Sequence, residues 1–314
     1  MDLAPVAFFV YNRPWHTKQT SDSLSRNKLA SETQLFIFSD GPRDSNAVNE
    51  VRTVREQIKN ISGFKDIKII ERKENLGLAN SIISGVTDVI NKYGRIIVIE
   101  DDMVFKTDFL RFMNEALEFY ESEKKVFSVT GYNYPEELMN IPESYNHDIY
   151  FYPRCSSWGW GTWKDRWAKA DWEFRDADKF LKNKKLRKRY AKTGEDKADM
   201  MLAHIEGKID SWATRWEYTH FVNDAYSVYP VKSFLNNIGF DGTGINCGYD
   251  KKYHYQDGLK ESEYNIRFLS KVELDKNIAR EFSKIFKKDR FVVIKMIIKK
   301  IIFYDKWRKR VLDN

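Results

Sequence analysis

Arg95-Ile96-Ile97-Val98-Ile99-Glu100-Asp101-Asp102-Met103 is a run of branched apolar residues that ends in three consecutive carboxylates. A short β-branched run that is apolar on both faces is typical of a central strand covered by helices on both sides. Three adjacent acids repel one another, so they are hydrated, paired or bound to a cation. Because ligands of open α/β sheets bind at the carboxyl ends of the strands, the stretch predicts a site for a hard divalent cation shared with a substrate phosphate. The alternative is a solvated acidic turn.

Strands and helices alternate on both sides of this stretch, throughout residues 1–131. Apolar residues recur every three or four positions in the helical segments, and short β-branched or aromatic runs separate these segments. This alternation is typical of a doubly wound α/β fold with a mostly parallel sheet and helices on both faces. The predicted strands cover residues 6–11, 34–39, 67–71, 95–100 and 126–130, and the predicted helices cover residues 14–27, 44–61, 76–92 and 107–122.

Polar groups follow several of these strands, but no glycine-rich dinucleotide or P-loop fingerprint does. Tyr11, Asn12 and Arg13 follow the first strand, and the Arg13 guanidinium is a planar fork suited to phosphate oxygens. Asp40, before Gly41, follows the second strand and can accept a hydrogen bond from a base or a sugar. Each signal alone is weak, since Asp-Gly after a strand is usually a turn. Together they predict a ligand-binding site at the carboxyl ends of these strands.

Residues 132–270 differ in character and are expected to form the second half of the same domain. Strands are predicted at 148–154 and 226–230, and helices at 178–192 and 211–224. The segment from Ser156 to Trp163 alternates Trp with Gly, a composition found in carbohydrate sites because sugar C–H faces stack on aromatic rings. Trp158, Gly159, Trp160 and Trp212 are therefore candidate sugar or acceptor contacts. The alternative is a Trp-rich corner of the core.

Asp210 precedes the predicted helix 211–224 and is expected at its N-cap position. Capping alone would explain it, but the cap and the helix dipole would also keep Asp210 ionised, as a general base must be. Residues 232–244 form a loop rich in Gly and amides that we interpret as a flexible wall over the site. The alternative is an ordinary long loop.

The net charge of +7 is concentrated at the end of the chain. Residues 281–314 contain eight Lys and three Arg against four acids, so residues 1–280 are neutral overall, which argues against a nucleic-acid-binding body. Residues 280–314 predict a basic amphipathic helix that binds an anionic membrane surface. The apolar stretch 291–303 contains three Lys and is too short to span a bilayer. The alternatives are docking on the catalytic domain and a dimer contact. The basic stripe comprises Lys284, Lys288, Lys295, Lys299, Lys306 and Arg310.

Two cysteines, Cys155 and Cys247, exclude a disulfide framework and a four-thiolate zinc site. The first strand begins at Val6 without the pattern of a signal peptide. We therefore expect a cytoplasmic protein, peripherally associated with the inner face of the cell membrane.

The motifs resemble those of inverting glycosyltransferases with the Rossmann-like GT-A fold, in particular family-2 enzymes and the N-acetylglucosaminyltransferase I group. Over residues 4–250, Arg13 matches the arginine that meets the nucleotide phosphates, and Asp40 matches the aspartate that reads uracil. Asn80 falls where the animal enzymes have His, on the helix that contacts the nucleotide. The triplet Glu100-Asp101-Asp102 matches letter for letter, and its last member would bind the metal.

The second half carries the remaining parts of the resemblance. Gly159-Trp160 matches a Gly-Trp segment, and Asp210-Ser211-Trp212 matches a motif whose aspartate is the catalytic base. Pro230-Val231-Lys232-Ser233 and the glycines from Gly239 to Gly244 match the segment that closes the site. The absence of a signal anchor departs from the Golgi members and favours a bacterial enzyme.

The resemblance implies a hexosyl- or N-acetylhexosaminyltransferase dependent on Mn²⁺ or Mg²⁺. It would move a sugar from a nucleotide-diphosphate sugar, a UDP-sugar above all, to a hydroxyl of a glycan or lipid-linked acceptor in bacterial surface polysaccharide synthesis. Asp102 would hold the metal, Glu100 and Asp101 the ribose and sugar, and Asp210 would act as base. Two alternatives remain: a sugar-nucleotide pyrophosphorylase, which should carry a glycine-rich phosphate loop after the first strand, and a non-catalytic carbohydrate-binding protein.

Overall fold

The computed structural model describes residues 2–244, 250, 253, 255, 258, 259 and 263–287. Its strands are β1 (Val6–Val10), β2 (Gln34–Ser39), β3 (Asp66–Glu71), β4 (Arg95–Glu100), β5 (Met103–Phe105), β6 (Val126–Thr130), β7 (Ile149–Tyr152), β8 (Trp160–Trp163), β9 (Tyr226–Pro230) and β10 (Leu235–Asn237). Its α-helices are α1 (Pro14–Ser25), α2 (Val48–Ile58), α3 (Gly77–Tyr93), α4 (Phe109–Phe119), α5 (Lys164–Trp167), α6 (Ala177–Lys182), α7 (Lys184–Tyr190), α8 (Lys197–Ile205), α9 (Trp212–Val222) and α10 (Lys276–Ile285).

Eight strands form one sheet in the order β3-β2-β1-β4-β8-β6-β9-β7, and β5 pairs with β10 in a small second sheet. The strands β3, β2, β1 and β4 are parallel to one another. β8 is antiparallel to both of its neighbours, β6 and β9 are parallel, and β7 forms an antiparallel edge. The predicted fold class, a mostly parallel α/β sheet, is confirmed.

Helices cover both faces of this sheet, and β4 shows why its sequence is apolar throughout. Ile97 and Ile99 point into one core, which includes apolar residues of α1, α2, α4 and α10. Ile96 and Val98 point into a second core, formed with α3 and α9. Successive side chains of a strand point to opposite faces, so a strand buried on both faces needs an unbroken apolar run. This arrangement holds β4 at the centre of the sheet. The carboxyl end of β4 lies at the same end of the sheet as the carboxyl ends of the neighbouring parallel strands.

The Trp-Gly segment forms β8, a strand that the sequence analysis did not assign. Gly161 pairs with Ile97 of β4 on one side and with Val129 of β6 on the other. A Cβ atom added to Gly161 would lie 2.9 Å from the carbonyl oxygen of Ile96, so the two strands approach too closely for a side chain. The glycine is therefore explained by sheet packing. Because β8 joins β4 to β6, strands from residues 1–131 and 132–270 share one sheet.

The predicted elements of the second half agree with the structure, with one refinement. The stretch 178–192 contains two helices, α6 and α7, which Asn183 separates. The Asn183 side chain accepts a hydrogen bond of 3.0 Å from the backbone N–H of Leu186, so it caps α7. Asn at such a position stabilises a new helix start, which explains the break.

The helix α10 covers the beginning of the predicted C-terminal helix and docks on the sheet. Phe282 is fully buried, with its ring centroid 3.8 Å from that of Tyr152, and Ile278 is also buried. The remainder of the predicted amphipathic helix, residues 288–314, lies outside the described residues. Within the part of the chain that is described, no helix combines the length and the apolar character needed to cross a membrane.

Candidate active site

The acidic triplet lies at the carboxyl end of β4, beside the end of β1, where Phe9 is the register partner of Glu100. Burial, followed by the neighbouring charges of Asp102 and Asp101, raises the pKa of Glu100 well above its usual range. Burial and the charge of Asp102 raise the pKa of Asp101 to about 7. Burial also raises the pKa of Asp102, although Arg13 opposes this. The fold thus holds three carboxyl groups together where their ionisation is costly.

The backbone of the triplet is fixed from helix α1. The Thr20 hydroxyl donates a 2.9 Å hydrogen bond to the carbonyl of Asp101 and accepts one of 3.0 Å from the Met103 N–H. The N–H of Tyr11 donates to the Asp101 carboxylate at 3.4 Å. These bonds set the direction of the turn after β4, and none of them uses the Asp102 side chain, which is 16% exposed. Asn12, next along the chain, is half-buried.

Arg13 supplies the positive charge at this edge. Its Nη1 lies 3.2 Å from Asp102 Oδ2, and its Nη2 lies 3.2 Å from Asp241 Oδ1 and 2.7 Å from His16 Nε2. The Thr243 hydroxyl lies 3.0 Å from the same Nη2. Burial and the charge of Arg13 lower the pKa of His16, which keeps its imidazole neutral near neutral pH. Arg13 therefore links the triplet to the loop after β10.

The loop after β10 covers the triplet. β10 pairs antiparallel with β5, and the Ile238 N–H donates a 2.8 Å hydrogen bond to the carbonyl of Asp102. A Cβ atom added to Gly239 would collide with Asp102 Oδ2, so only glycine permits this close approach. The predicted wall over the site thus lies directly against Asp102.

Asp40 is buried at the end of β2 and has an internal role that the sequence analysis did not predict. Its carboxylate accepts hydrogen bonds from the backbone N–H groups of Leu76 (3.0 and 3.1 Å) and Gly77 (3.1 Å) at the start of α3. These bonds satisfy donors that a helix start leaves unpaired. Asn80 is exposed on the same helix, where its amide donates to the Leu76 carbonyl at 3.2 Å. Their predicted nucleotide contacts stay predictions.

The structure corrects the interpretation of two tryptophans. Trp160 and Trp212 stack on each other with ring centroids 5.1 Å apart and belong to the core between β8, α3 and α9. Their exposed fractions are 0% and 3%, so protein covers their rings and no sugar can stack on them. The Trp-rich corner of the core is the correct alternative for both. Gly159 is buried beside Leu235 and Phe109 of the other core, and Trp158 is half-buried with its ring edge-on to Tyr132.

Asp210 is not the N-cap of α9, contrary to the prediction. Ser211 caps the helix, because its hydroxyl accepts a 3.2 Å hydrogen bond from the Thr214 N–H. The Asp210 side chain is 61% exposed and forms a 2.8 Å ion pair with Arg215. Asp210 lies one residue before the cap, and its largely exposed carboxylate contacts α9 through the side chain of Arg215. Its catalytic role stays a prediction.

The carboxylates of the triplet suit a hard divalent cation, because oxygen ligands with an unfavourable mutual charge gain from a shared positive ion. Among the described residues, no group of three or more His, Cys, Asp or Glu side chains forms a complete set of metal ligands. Such a cation would therefore be held by Asp102, with substrate phosphates and water completing the ligands. A bound divalent cation offsets charge on phosphate oxygens.

Sequence reasoning missed three residues at the site: His16, Asp241 and Thr243 as partners of Arg13. His16 is three residues after Arg13 in the first turn of α1, and this spacing places both on one helix face. The spacing of Arg13 and His16 could therefore have identified His16 from the sequence. The approach of Asp241 depends on how β10 pairs with β5, which local patterns do not reveal.

Proteins similar to this chain were found among solved structures. No protein-family model and no curated protein matches the chain. A mannosyltransferase from Pyrobaculum calidifontis, in complex with GDP-Man and Mn²⁺, is 13% identical with a TM-score of 0.34, over 54% of this chain and 49% of that one. S. aureus TarS (1–349) is 10% identical with a TM-score of 0.41, over 74% and 59%. A putative glucose-1-phosphate thymidylyltransferase from Bacillus anthracis, in complex with a sucrose, is 11% identical with a TM-score of 0.37, over 77% and 91%. The chain spans about half of the mannosyltransferase and about three fifths of TarS (1–349).

The pKa of Asp101 predicts a pH-dependent stability. A carboxyl group whose folded pKa is raised to about 7 contributes stability that is present below its usual pKa and is lost as the pH rises through about 7. In EDTA, we expect the melting temperature of the wild type to fall between pH 5 and pH 8 by about 2 °C more than that of Asp101→Asn. Differential scanning fluorimetry across this range measures the difference.

The control is Asp22→Asn, which removes an exposed carboxylate of α1. It should follow the wild-type curve. Parallel curves for the wild type and Asp101→Asn would show that the ionisation of Asp101 costs the folded state nothing.

Proposed function

We propose that the protein is a metal-dependent inverting glycosyltransferase, which moves a hexosyl or N-acetylhexosaminyl group from a UDP-sugar to a hydroxyl of a glycan or lipid-linked acceptor. The proposed setting is bacterial surface polysaccharide synthesis. The observation that carries the proposal is the cluster of three carboxyl groups at the end of β4, held beside Arg13 and beneath the loop after β10. A pyrophosphate group bound together with a divalent cation would supply negative charge to Arg13 and positive charge to the carboxyl groups.

In this proposal, the donor binds across the carboxyl ends of β1, β2 and β4. Arg13 contacts the phosphates, with Tyr11 and Asn12 lining the same edge. Asp40 accepts from the base; because its two oxygens already accept from the N–H groups of Gly41, Leu76 and Gly77, this contact would replace one of those hydrogen bonds. Asn80 lies one turn further along α3. Glu100 and Asp101 hold the ribose and the sugar, and Asp102 holds the cation.

The proposed reaction is a single displacement at the anomeric carbon. Asp210 takes the proton of the acceptor hydroxyl while that oxygen bonds to the anomeric carbon, and the bond to the diphosphate oxygen breaks with inversion. The Asp210 carboxylate is 61% exposed and so is accessible to an acceptor hydroxyl, with Arg215 Nη2 2.8 Å away. General-base catalysis contributes typically about 10²–10⁴-fold. Trp158 is the remaining aromatic candidate for acceptor contact.

Asp102→Ala is expected to abolish metal-dependent binding of UDP-sugars while the fold stays intact. The substitution removes the only carboxylate of the triplet that Arg13 contacts directly among the described residues, and the proposed cation loses its protein ligand. Isothermal titration with and without Mn²⁺, alongside circular dichroism, measures both effects. Asp22→Ala, an exposed acid on α1, serves as the matched control. Full activity of the wild type in EDTA would refute metal dependence.

Asp210→Asn is expected to lower turnover by at least about 10²-fold and to leave donor affinity unchanged, since only the proton acceptor is lost. Folding should be unaffected, because an exposed ion pair contributes little stability. The readout is steady-state release of UDP. Asp224→Asn at the opposite end of α9 is the control, as Asn tolerates its left-handed φ of 48°. If both variants turn over normally, the base is another residue, and Glu206 and Asp241 are next to test.

We further propose that residues 288–314 bind anionic membrane and so bring the enzyme to a lipid-linked acceptor. Five of the six residues of the predicted basic stripe fall in this segment, which supports the proposal. Because α10 docks on the sheet through Phe282, the informative truncation ends after Lys287 and keeps α10 intact. The full chain should float with anionic vesicles at low salt, and the 1–287 truncation should not. Equal flotation of both, at low and high salt, would exclude the role.

A further inference from the structure

The Asp241 carboxylate is held by three side chains that differ in kind. Arg13 Nη2 lies 3.2 Å from its Oδ1, His16 Nε2 lies 3.0 Å from its Oδ2, and the Thr243 hydroxyl lies 2.7 Å from its Oδ1. Oδ1 is thus engaged by a guanidinium and a hydroxyl, and Oδ2 accepts from His16 in the tautomer that carries its proton on Nε2; in the other tautomer Nε2 accepts from Arg13 Nη2 instead. An anion with several oxygens, such as a phosphate, takes the same partners.

The partners and the carboxylate differ in how firmly they are placed. Arg13 and His16 belong to the start of α1, and only 13% and 7% of their side chains are exposed. Asp241 comes from the rim of the loop after β10 and is 39% exposed. The positive site is therefore built into the body of the protein, while its present occupant lies at the surface. An exposed ion pair is worth little, so a ligand with more charge can replace it.

Arg13 has an unused hydrogen-bond donor in the interior of the site. Arg13 Nε is buried and has no hydrogen-bond partner among the described residues, although Nη1 and Nη2 are both engaged. A buried donor left unpaired costs free energy. A phosphate can accept from Nε and Nη2 together, since the guanidinium edge is bidentate. Asp241 engages Nη2 alone.

We propose that Arg13 and His16 form a phosphate-binding site and that Asp241 fills it when no donor is bound. The donor's diphosphate would displace the Asp241 carboxylate from both residues. This inference rests on the proposed function for the identity of the donor. It adds His16 as a phosphate-binding residue and assigns Asp241 as an internal competitor of the substrate.

Displacement of Asp241 would also change the access of a cation to Asp102. Gly239, two residues earlier, lies against Asp102 Oδ2, and the Ile238 N–H bonds to the carbonyl of Asp102. When Asp241 leaves Arg13, the segment 239–241 keeps the packing of Phe240 on Trp158 but loses its anchor beside the triplet, which would help to uncover Asp102 Oδ2. Occupation of the phosphate site therefore favours access of a cation to Asp102, and the two ligands bind cooperatively.

The test uses inorganic pyrophosphate as the probe, in EDTA, with affinity measured by isothermal titration. Asp241→Asn keeps the shape of the side chain and removes its charge. We expect this variant to bind pyrophosphate about three- to tenfold more tightly than the wild type, because the competing ion pair is lost. His16→Gln should bind more weakly than its parent, both alone and combined with Asp241→Asn. Asp22→Asn, an exposed acid elsewhere on α1, should leave the affinity unchanged.

Unchanged or weaker binding of pyrophosphate by Asp241→Asn overturns the proposal, because Asp241 is then no competitor. Unchanged binding by a folded His16→Gln variant removes His16 from the site. Since Asp241 is at the surface, its variant is expected to fold whether or not His16→Gln does.

A parallel assay of sugar transfer separates this inference from the proposed function. If no nucleotide sugar is turned over but the pyrophosphate affinities change as expected, the proposed function fails and the phosphate site stands. If transfer is observed and Asp241→Asn binds pyrophosphate like the wild type, only the present inference fails.

Discussion

The mutual repulsion of three adjacent carboxyl groups at the end of a buried strand is the constraint on which this molecule depends. Glu100, Asp101 and Asp102 cannot spread apart, because the apolar residues of β4 are clamped between two cores. Neighbouring residues offset this repulsion locally. Arg13 brings one positive charge, Thr20 holds the backbone, and the backbone of Ile238 caps the turn. One guanidinium does not offset three carboxyl groups, and the raised pKa values of Glu100, Asp101 and Asp102 reflect the remaining cost of their ionisation.

Much of the fold was predictable because the decisive signals are local. The parallel strands are short runs of β-branched and aromatic residues, and the helices have clear apolar spacing, so element type followed from periodicity. The acidic edge was predictable for the same reason, since the carboxyl ends of parallel strands meet at one edge of a sheet. A local pattern therefore located Arg13, Asp40 and Asp102 at the same edge of the structure.

The errors arose where tertiary context decides. The composition of the Trp-Gly segment fits a sugar-binding surface and a core equally well, and the pairing of Gly161 with two neighbouring strands selected the core. Ser211 rather than Asp210 caps α9, because both residue types are good caps and a one-residue shift is invisible to propensity. The contact of Asp241 with His16 depends on the return of the chain through β10, which no sequence window contains.

The antiparallel strand β8 has a consequence for how the chain must assemble. Among the strands that the structure describes, β6 is joined to the parallel strands around β4 only through β8, which is contributed about 60 residues after β4. Until β8 arrives, β4 presents an open edge of unpaired backbone groups, and the strand that carries the acidic triplet is exposed to mispairing. Contacts between residues distant in sequence form slowly. During synthesis, the first half of the chain is thus an incomplete folding unit until Trp160–Trp163 has been made. Fragments that end before this strand are expected to associate with other chains.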